Sequence, residues 1–271
     1  MMRKAVLLAA ASALLPVSVA AAVGPALPAG NGAVSGAGEV SYVTKLHGAG
    51  TLLSRRVEGR VVGSRTLAGN WGIPFVTLTY GDRGGLSPNG RVLVLGDDVN
   101  PDGTLRARSG FAVVDTRTLG IVRTFTLRGD YSFDALSPAG RWLYLIHHVA
   151  SAGDRYQVQA YDLRAGALVP GVIADKRQAG WLMSGYAVSR ATATGGRWVY
   201  TLYSQNDNYP FVHALDTVDR TAVCIGIPWQ WADPNNGIGL AKLSLSGHTL
   251  FIQHGTKRFA LDTKTLRVRS L

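Results

Sequence analysis

The sequence predicts an all-β chain, a β-propeller of about five blades with four antiparallel strands each, the first blade incomplete or irregular. Three observations predict it. A turn-and-strand phrase, clearest as Ser137-Pro138-Ala139-Gly140-Arg141-Trp142-Leu143-Tyr144-Leu145, also stands at Ser87–Leu95 and returns eroded at Ala193–Tyr200 and Ser244–Ile252. A second marker, an apolar residue followed by Asp and a short turn, falls at Asp115, Asp162, Asp216 and Asp262, with spacings of 47, 54 and 46 residues. The strands after the first marker, Val92–Leu95, Trp142–Ile146 and Trp198–Tyr203, are almost continuously apolar. A sheet with one wet face alternates, so these strands need both faces covered, as when small twisted sheets stack around an axis.

The elements follow in order. Met1–Ala22 has the build of a secretory signal: Arg3 and Lys4, the apolar run Ala5–Leu15, and the small residues Ala20-Ala21-Ala22. Cleavage after Ala20 and an uncleaved membrane anchor are the alternatives. The small and flexible composition of Val23–Gly38 predicts a spacer, so residues 39–271 form the propeller domain. Its first part holds three short strands, Tyr42–Leu46, Thr51–Val57 and Arg60–Leu67. Four fuller units follow from Gly72, each with strands a to d. In the a–b turns Pro138 presets φ and Gly140 accepts a positive φ. In the c–d turns the Asp side chains accept hydrogen bonds from amides just ahead of them, a structural task that leaves them no catalytic one.

Turn phrases such as Ser87-Pro88-Asn89-Gly90-Arg91, each followed by an apolar strand and then Asp-Thr, resemble those of secreted bacterial propellers built from YVTN- and WD-type repeats. The resemblance covers Gly72–Leu271 and departs at Thr192–Gly196, where the Ser-Pro pair is lost. It implies the fold, and little about function, because propellers serve as enzymes, binders and scaffolds alike.

The net charge is +11, or +9 once Arg3 and Lys4 are removed. Cys224 is the lone cysteine, so it has no intramolecular disulfide partner, and its apolar neighbours predict a buried small hydrophobe. The signal and the charge together predict a secreted or extracytoplasmic protein. Nucleic acid is not an expected partner; a carbohydrate or cell-wall polymer, or a protein, is. No cysteine pair or His cluster points to a metal, since His147 and His148 point to opposite faces of a strand. No cofactor is expected.

Phase in the repeat divides the surface. The d–a and b–c loops share one face, and they are long and differ between blades. They carry Trp71, Tyr131, His147, Trp181, Trp229 and Trp231, predicted to line a ligand bowl. The a–b and c–d turns share the other face and carry Arg91, Arg117, Arg141, Arg164, Arg197, Arg220 and Lys264, candidates for binding a polyanion. No catalytic residues are assigned. The expected function is an exported, non-catalytic propeller binding a carbohydrate or envelope component on its long-loop face. Two alternatives stand beside it. One is a carbohydrate hydrolase or lyase using Asp130 and Asp134, which would need the paired carboxylates of such enzymes. The other is a structural envelope protein held by charge.

Overall fold

Five antiparallel meanders, each stepping from strand to neighbouring strand, make up the protein. The computed structural model describes residues 29–97, 105–149, 155–178, 180–204, 209–229 and 237–271. The signal segment and Trp231 therefore lie outside the described residues. Blade 1 is Gly32–Ser35, Val40–His47, Gly50–Val57 and Arg60–Ala68. Blade 2 is Trp71–Pro74, Val92–Asp97, Arg108–Asp115 and Gly120–Arg128, with Ala29–Gly30 added beside its first strand. Blade 3 is Asp130–Leu136, Trp142–His148, Arg155–Asp162 and Ala167–Leu168, and Met183–Ser184 also pairs with its third strand. Blade 4 is Tyr186–Thr192, Trp198–Ser204, Phe211–Asp216 and Thr221–Gly226. Blade 5 is Lys242–Ser246, Thr249–His254, Lys257–Asp262 and Val268–Ser270. Together they are a five-bladed β-propeller. No helix among the described residues is long and apolar enough to cross a membrane.

Both turn markers close as their chemistry requires. The Ser87 and Ser137 hydroxyls accept the amides of Val92 and Trp142, and Gly90 and Gly140 take φ of 70° and 73°. At the c–d turns one carboxylate oxygen of each Asp accepts two amides: those of Arg117 and Thr118 at Asp115, Arg164 and Ala165 at Asp162, Val218 and Asp219 at Asp216, and Lys264 and Thr265 at Asp262.

The spacer expectation needs correcting from Ala29 onward. Gly32–Ser35 supplies the fourth strand of blade 1, and Ala29–Gly30 pairs with Ile73 and Pro74. Small residues are what an inner strand demands where blades converge: a methyl group at Gly72 would lie 2.1 Å from the Gly30 nitrogen. The same smallness gives the segment a linker's composition.

Packing follows the blade order. One apolar cluster lies at each successive interface, with Leu53 and Leu93 between blades 1 and 2, Val94 and Leu145 between 2 and 3, Tyr144 and Tyr203 between 3 and 4, and Leu202 and Leu250 between 4 and 5. The b strands of blades 2, 3 and 4 are buried on both faces, whereas Thr249–His254 of blade 5 alternates. No apolar cluster among the described residues joins blade 5 to blade 1. A different device spans the centre. Residues 75–82 leave the first strand of blade 2 and cross to blades 4 and 5. There the Leu78 amide donates to Ala187, the Thr79 hydroxyl to Gly239 and the Tyr80 hydroxyl to Leu240, at 3.0, 2.8 and 2.5 Å. Ala187 begins the inner strand of blade 4 at its long-loop end, and Gly239 and Leu240 belong to the loop before blade 5.

Candidate functional site

Of the aromatic residues predicted to line a bowl on the long-loop face, Trp71, Trp181 and Trp229 pack at three different blade interfaces, and Trp231 lies outside the described residues. Trp71 donates its indole N–H to the Ala68 carbonyl at 2.7 Å and packs on the cluster between blades 1 and 2. Tyr131 is buried, stacked at 4.2 Å on the half-buried His147, and donates to the Gln159 side chain. Trp181 lies edge-on to Phe211 at the interface of blades 3 and 4. Trp229 is 1% exposed, in the core between blades 4 and 5 against Phe259. Residues 75–82 cross at the long-loop end, hydrogen-bonded to Ala187, Gly239 and Leu240. The 14 residues of Ile73–Leu86 are too many for one inner strand, and that excess is the signal of an excursion in the sequence.

The cavity lies beneath that segment, at the turn end of the channel. Its volume is about 330 Å³. Val76, Arg83 and Gly84 come from the crossing segment and its return, Phe133 and Asp134 from blade 3, and Arg190 from blade 4. Ala37, Pro88 and Gly195, from a–b turns of blades 1, 2 and 4, stand at the rim and are exposed. The turns crowd closely there: Asn89 donates to Pro138, and a methyl group at Gly196 would meet the Pro88 ring at 2.1 Å.

An ion pair is built into the wall. Asp134 sits where the register between Asp130–Leu136 and Trp142–His148 shifts, leaving it out of the ladder. Such bulges re-aim a side chain. Its carboxylate Oδ1 and its own carbonyl accept from Arg190, whose Nε donates to the Thr201 hydroxyl at 3.1 Å. The side chains are 2% and 10% exposed. Asp134 Oδ2 is buried and accepts no hydrogen bond among the described residues. Leaving such an oxygen unpartnered costs about 1–3 kcal/mol or more. Arg190, with more N–H donors than these acceptors use, keeps hydrogen-bonding capacity in reserve.

The row continues through blade 4, where Arg190 faces Thr201 and Thr201 faces His213. His213 is 1% exposed, and its Nε2 has no partner among the described residues. Burial holds its pKa below 6.5, a shift the Asp134 carboxylate opposes. Beside it, burial pushes the Tyr203 hydroxyl far up. The Arg190–Asp134 pair is not among the residues that the sequence markers single out. An arginine inside the apolar strand Tyr186–Thr192 is the available signal, since charges are rarely buried unless paired.

Asp130, the other carboxylate candidate, is in a separate network. Arg106 bridges it at 2.7 Å and Asp97 at 3.1 Å, and the Asp130 side chain is 0% exposed. Asp97 is raised from the usual carboxylate value by burial, against the pull of the Gly110 amide and Arg106. Asp130 and Asp134 thus each serve an arginine rather than one another. Ser132 Oγ and His148 Nε2 lie 3.4 Å apart, both buried. Among the described residues no group of three or more His, Cys, Asp or Glu could hold a metal.

The seven basic turn residues are exposed and sit in a–b and c–d turns. Contacts between those turns place them on the cavity's side: Thr116 donates to Gly90, Arg123 to Leu163, and Arg220 lies 4.3 Å over Trp142. Three of the seven are already engaged, Arg220 with the Trp142 ring and two in ion pairs. Arg141 pairs with Asp162 at 2.9 Å, and Arg197 with Asp216 and Asp219 at 2.8 and 2.6 Å. Arg91, Arg117, Arg164 and Lys264 make no ion pair among the described residues.

No protein-family model and no curated protein matches the chain. Solved structures of similar fold include TolB from Acinetobacter baumannii, at 12% identity and a TM-score of 0.48, covering 89% of this chain and 54% of that one. A second is the Swd1 β-propeller domain of Myceliophteria thermophila, at 12% identity and a TM-score of 0.47, covering 88% of this chain and 69% of that one. A puromycin-hydrolysing peptidase of Mycobacterium tuberculosis is similar at 17% identity with a TM-score of 0.48, over 91% of this chain and 38% of that one. This chain thus spans about half of the TolB chain. Likenesses this distant say nothing of activity.

Proposed function

We propose that the protein is an exported, non-catalytic propeller that binds a carbohydrate or envelope component at the turn end of its channel. The carrying observation is the walled cavity of about 330 Å³ containing the buried Arg190–Asp134 pair with its unpartnered carboxylate oxygen. Concave sites with apolar walls and a few placed polar groups are where small ligands bind. The basic turns beside the mouth add a long-range attraction for acidic polymers. Binding without chemistry is favoured because Asp130 and Asp134 are each held by an arginine in different places, so these two carboxylates do not face one another across a glycosidic bond.

The test is a screen of cell-envelope glycans against the mature protein and its Ala37→Trp variant. Ala37 is exposed at the rim, so the indole blocks the mouth without disturbing the core. Binding lost in the variant supports the site; binding that survives it places the ligand elsewhere. The polymer component should weaken steeply with salt, since screening shortens to about 3 Å at 1 M.

A further inference from the structure

We propose that the open flank between blades 5 and 1 is a docking cleft for an acidic polysaccharide, an extended chain with a carboxylate on each sugar. The cations it uses, Lys45, Arg258 and Arg269, line no part of the channel cavity, so the cleft does not depend on what that cavity binds.

Exposure shows that the flank is open. In blade 3 every residue of the inner strand Asp130–Leu136 is buried. The inner strands of blades 5 and 1 are covered on one face only. Leu243 is buried against blade 4 while Lys242, Ser244 and Ser246 are exposed or half-exposed to the other side. Val34 is buried towards blade 2 while Ala33 and Ser35 are exposed. The deeper strands agree. Tyr42 and Leu53 face blade 2, so strand alternation turns Val43, Lys45 and Leu52 to the open side. Ile252 and Phe259 face blade 4, so Phe251 and Arg258 turn away from it, as does Arg269, which pairs with Ala260.

Charge selects an anion. A net +9 remains without Arg3 and Lys4. In residues 32–68 five cations against Glu39 and Glu58 give +3, and in residues 242–271 six cations against Asp262 give +5. The two blades that border the cleft thus hold all but one of the net charge. Lys45, Arg258 and Arg269 are exposed and make no ion pair among the described residues. Lys242 stands 4.9 Å from the centre of the Tyr80 ring, a contact that leaves its charge in place. Like charge on both walls opposes their closing on each other and disfavours a second copy of the chain between them. A polyanion joins them.

The rest of the lining selects a sugar chain. Guanidinium groups suit carboxylates. Among the cations stand side chains that exchange hydrogen bonds with sugar hydroxyls, Ser54 and Thr66 in blade 1 and Thr249 and Gln253 in blade 5. Val43, Leu52 and Phe251 are half-buried and give apolar surface to the C–H faces of the rings. An inorganic polyphosphate would leave that surface bare.

The experiment is calorimetric titration of the mature protein with polygalacturonate, its methyl ester and polyaspartate in about 0.15 M salt, where exposed charges more than about 8 Å apart are largely screened. Polygalacturonate should bind and its neutral ester should not. The triple variant Lys45→Gln, Arg258→Gln, Arg269→Gln should weaken binding about tenfold or more, as loss of one charge-assisted hydrogen bond suffices to do. Arg91→Gln, Arg117→Gln, Arg164→Gln removes the same charge from the turn face and should weaken it less than about threefold. All six positions are exposed, so thermal midpoints should not move. Equal losses in the two triple variants would mean that net charge alone attracts the polymer, and overturn the cleft. Polyaspartate binding as tightly as polygalacturonate overturns the sugar chain in favour of an acidic protein. An ester that binds like the acid overturns the role of charge, and absence of polygalacturonate binding overturns the proposal. Ala37→Trp should leave the titration unchanged; a loss there would put the polymer in the channel cavity instead.

Discussion

The Thr79 hydroxyl donates to the Gly239 carbonyl at 2.8 Å, joining residues 160 positions apart across the channel. With Tyr80 on Leu240 and Leu78 on Ala187, it ties blade 2 to blades 4 and 5, which blade 2 does not adjoin in the packing order. The double variant Thr79→Ala, Tyr80→Phe should lower unfolding free energy by about 1–3 kcal/mol, since each intramolecular hydrogen bond contributes about 0.5–1.5 kcal/mol. Urea unfolding measures it. An unchanged midpoint would mean that the segment docks by packing alone.

Trp229 and Trp71 should behave differently. Trp229 is fully packed between two blades, so Trp229→Ala should cost about 3–5 kcal/mol. Trp71 is only half-buried, and Trp71→Ala should cost less. A Trp229→Ala protein of wild-type stability that had lost ligand binding would restore this residue to a binding role.

Acid should act in two stages. His213 is held below 6.5 by burial, so the unfolded chain takes up a proton before the folded one does. Stability should therefore begin to fall as pH drops through about 6.5 and keep falling down to the folded value. His213→Gln should flatten that stage. Asp162, bonded to Arg141, sits at about 2, and so does Asp175, where Arg177 and two amides outweigh burial. Stability from these carboxylates is present above about pH 4 and is lost as pH falls towards 2. Denaturant midpoints between pH 8 and 2 would show both stages or contradict them.

Cys224 should be inert in the folded protein. It is buried, its thiol touches the Ala174 carbonyl and the Met183 sulfur, and burial pushes its pKa far up. Reaction with an aromatic disulfide reagent at pH 8 should be negligible until denaturant is added. Fast labelling of the native protein would show that the interface of blades 3 and 4 opens.

The fold was legible wherever a local rule recurred, as it does through blades 2 to 5. Asp at the end of strand c and Gly in the a–b turn report backbone geometry, which a short sequence window specifies. Continuous apolar b strands marked blades 2, 3 and 4, whereas the alternating burial of Thr249–His254 in blade 5 shows only in the structure, because Leu250-Phe251-Ile252 is apolar without a break. The site was not legible in the same way. Asp134 and Arg190 lie 56 residues apart in strands of different blades, and only the packing of one blade on the next brings them together. The loop tryptophans carried the opposite ambiguity: a large apolar ring in a long connection suits a ligand as well as an interface, and no local rule separates the two. Gly32–Ser35 was hidden because an inner strand short of space has a linker's composition.

The crossing segment also fixes an order of events. Its anchor points at Ala187, Gly239 and Leu240 leave the ribosome after residues 75–82, so the channel cannot acquire its far wall while the chain is only partly made. Blades 1 to 3 can pack on one another beforehand through nearest-neighbour contacts, but contacts of such long sequence separation form slowly because much chain must be organised before they bring any gain. A protein that stalls at blade 4, or is clipped before residue 237, would hold correctly formed sheets around a channel whose far end lacks its ties to Gly239 and Leu240. Synthesis of the loop that enters the last blade is thus also the moment at which the cavity can acquire the ties of its far end.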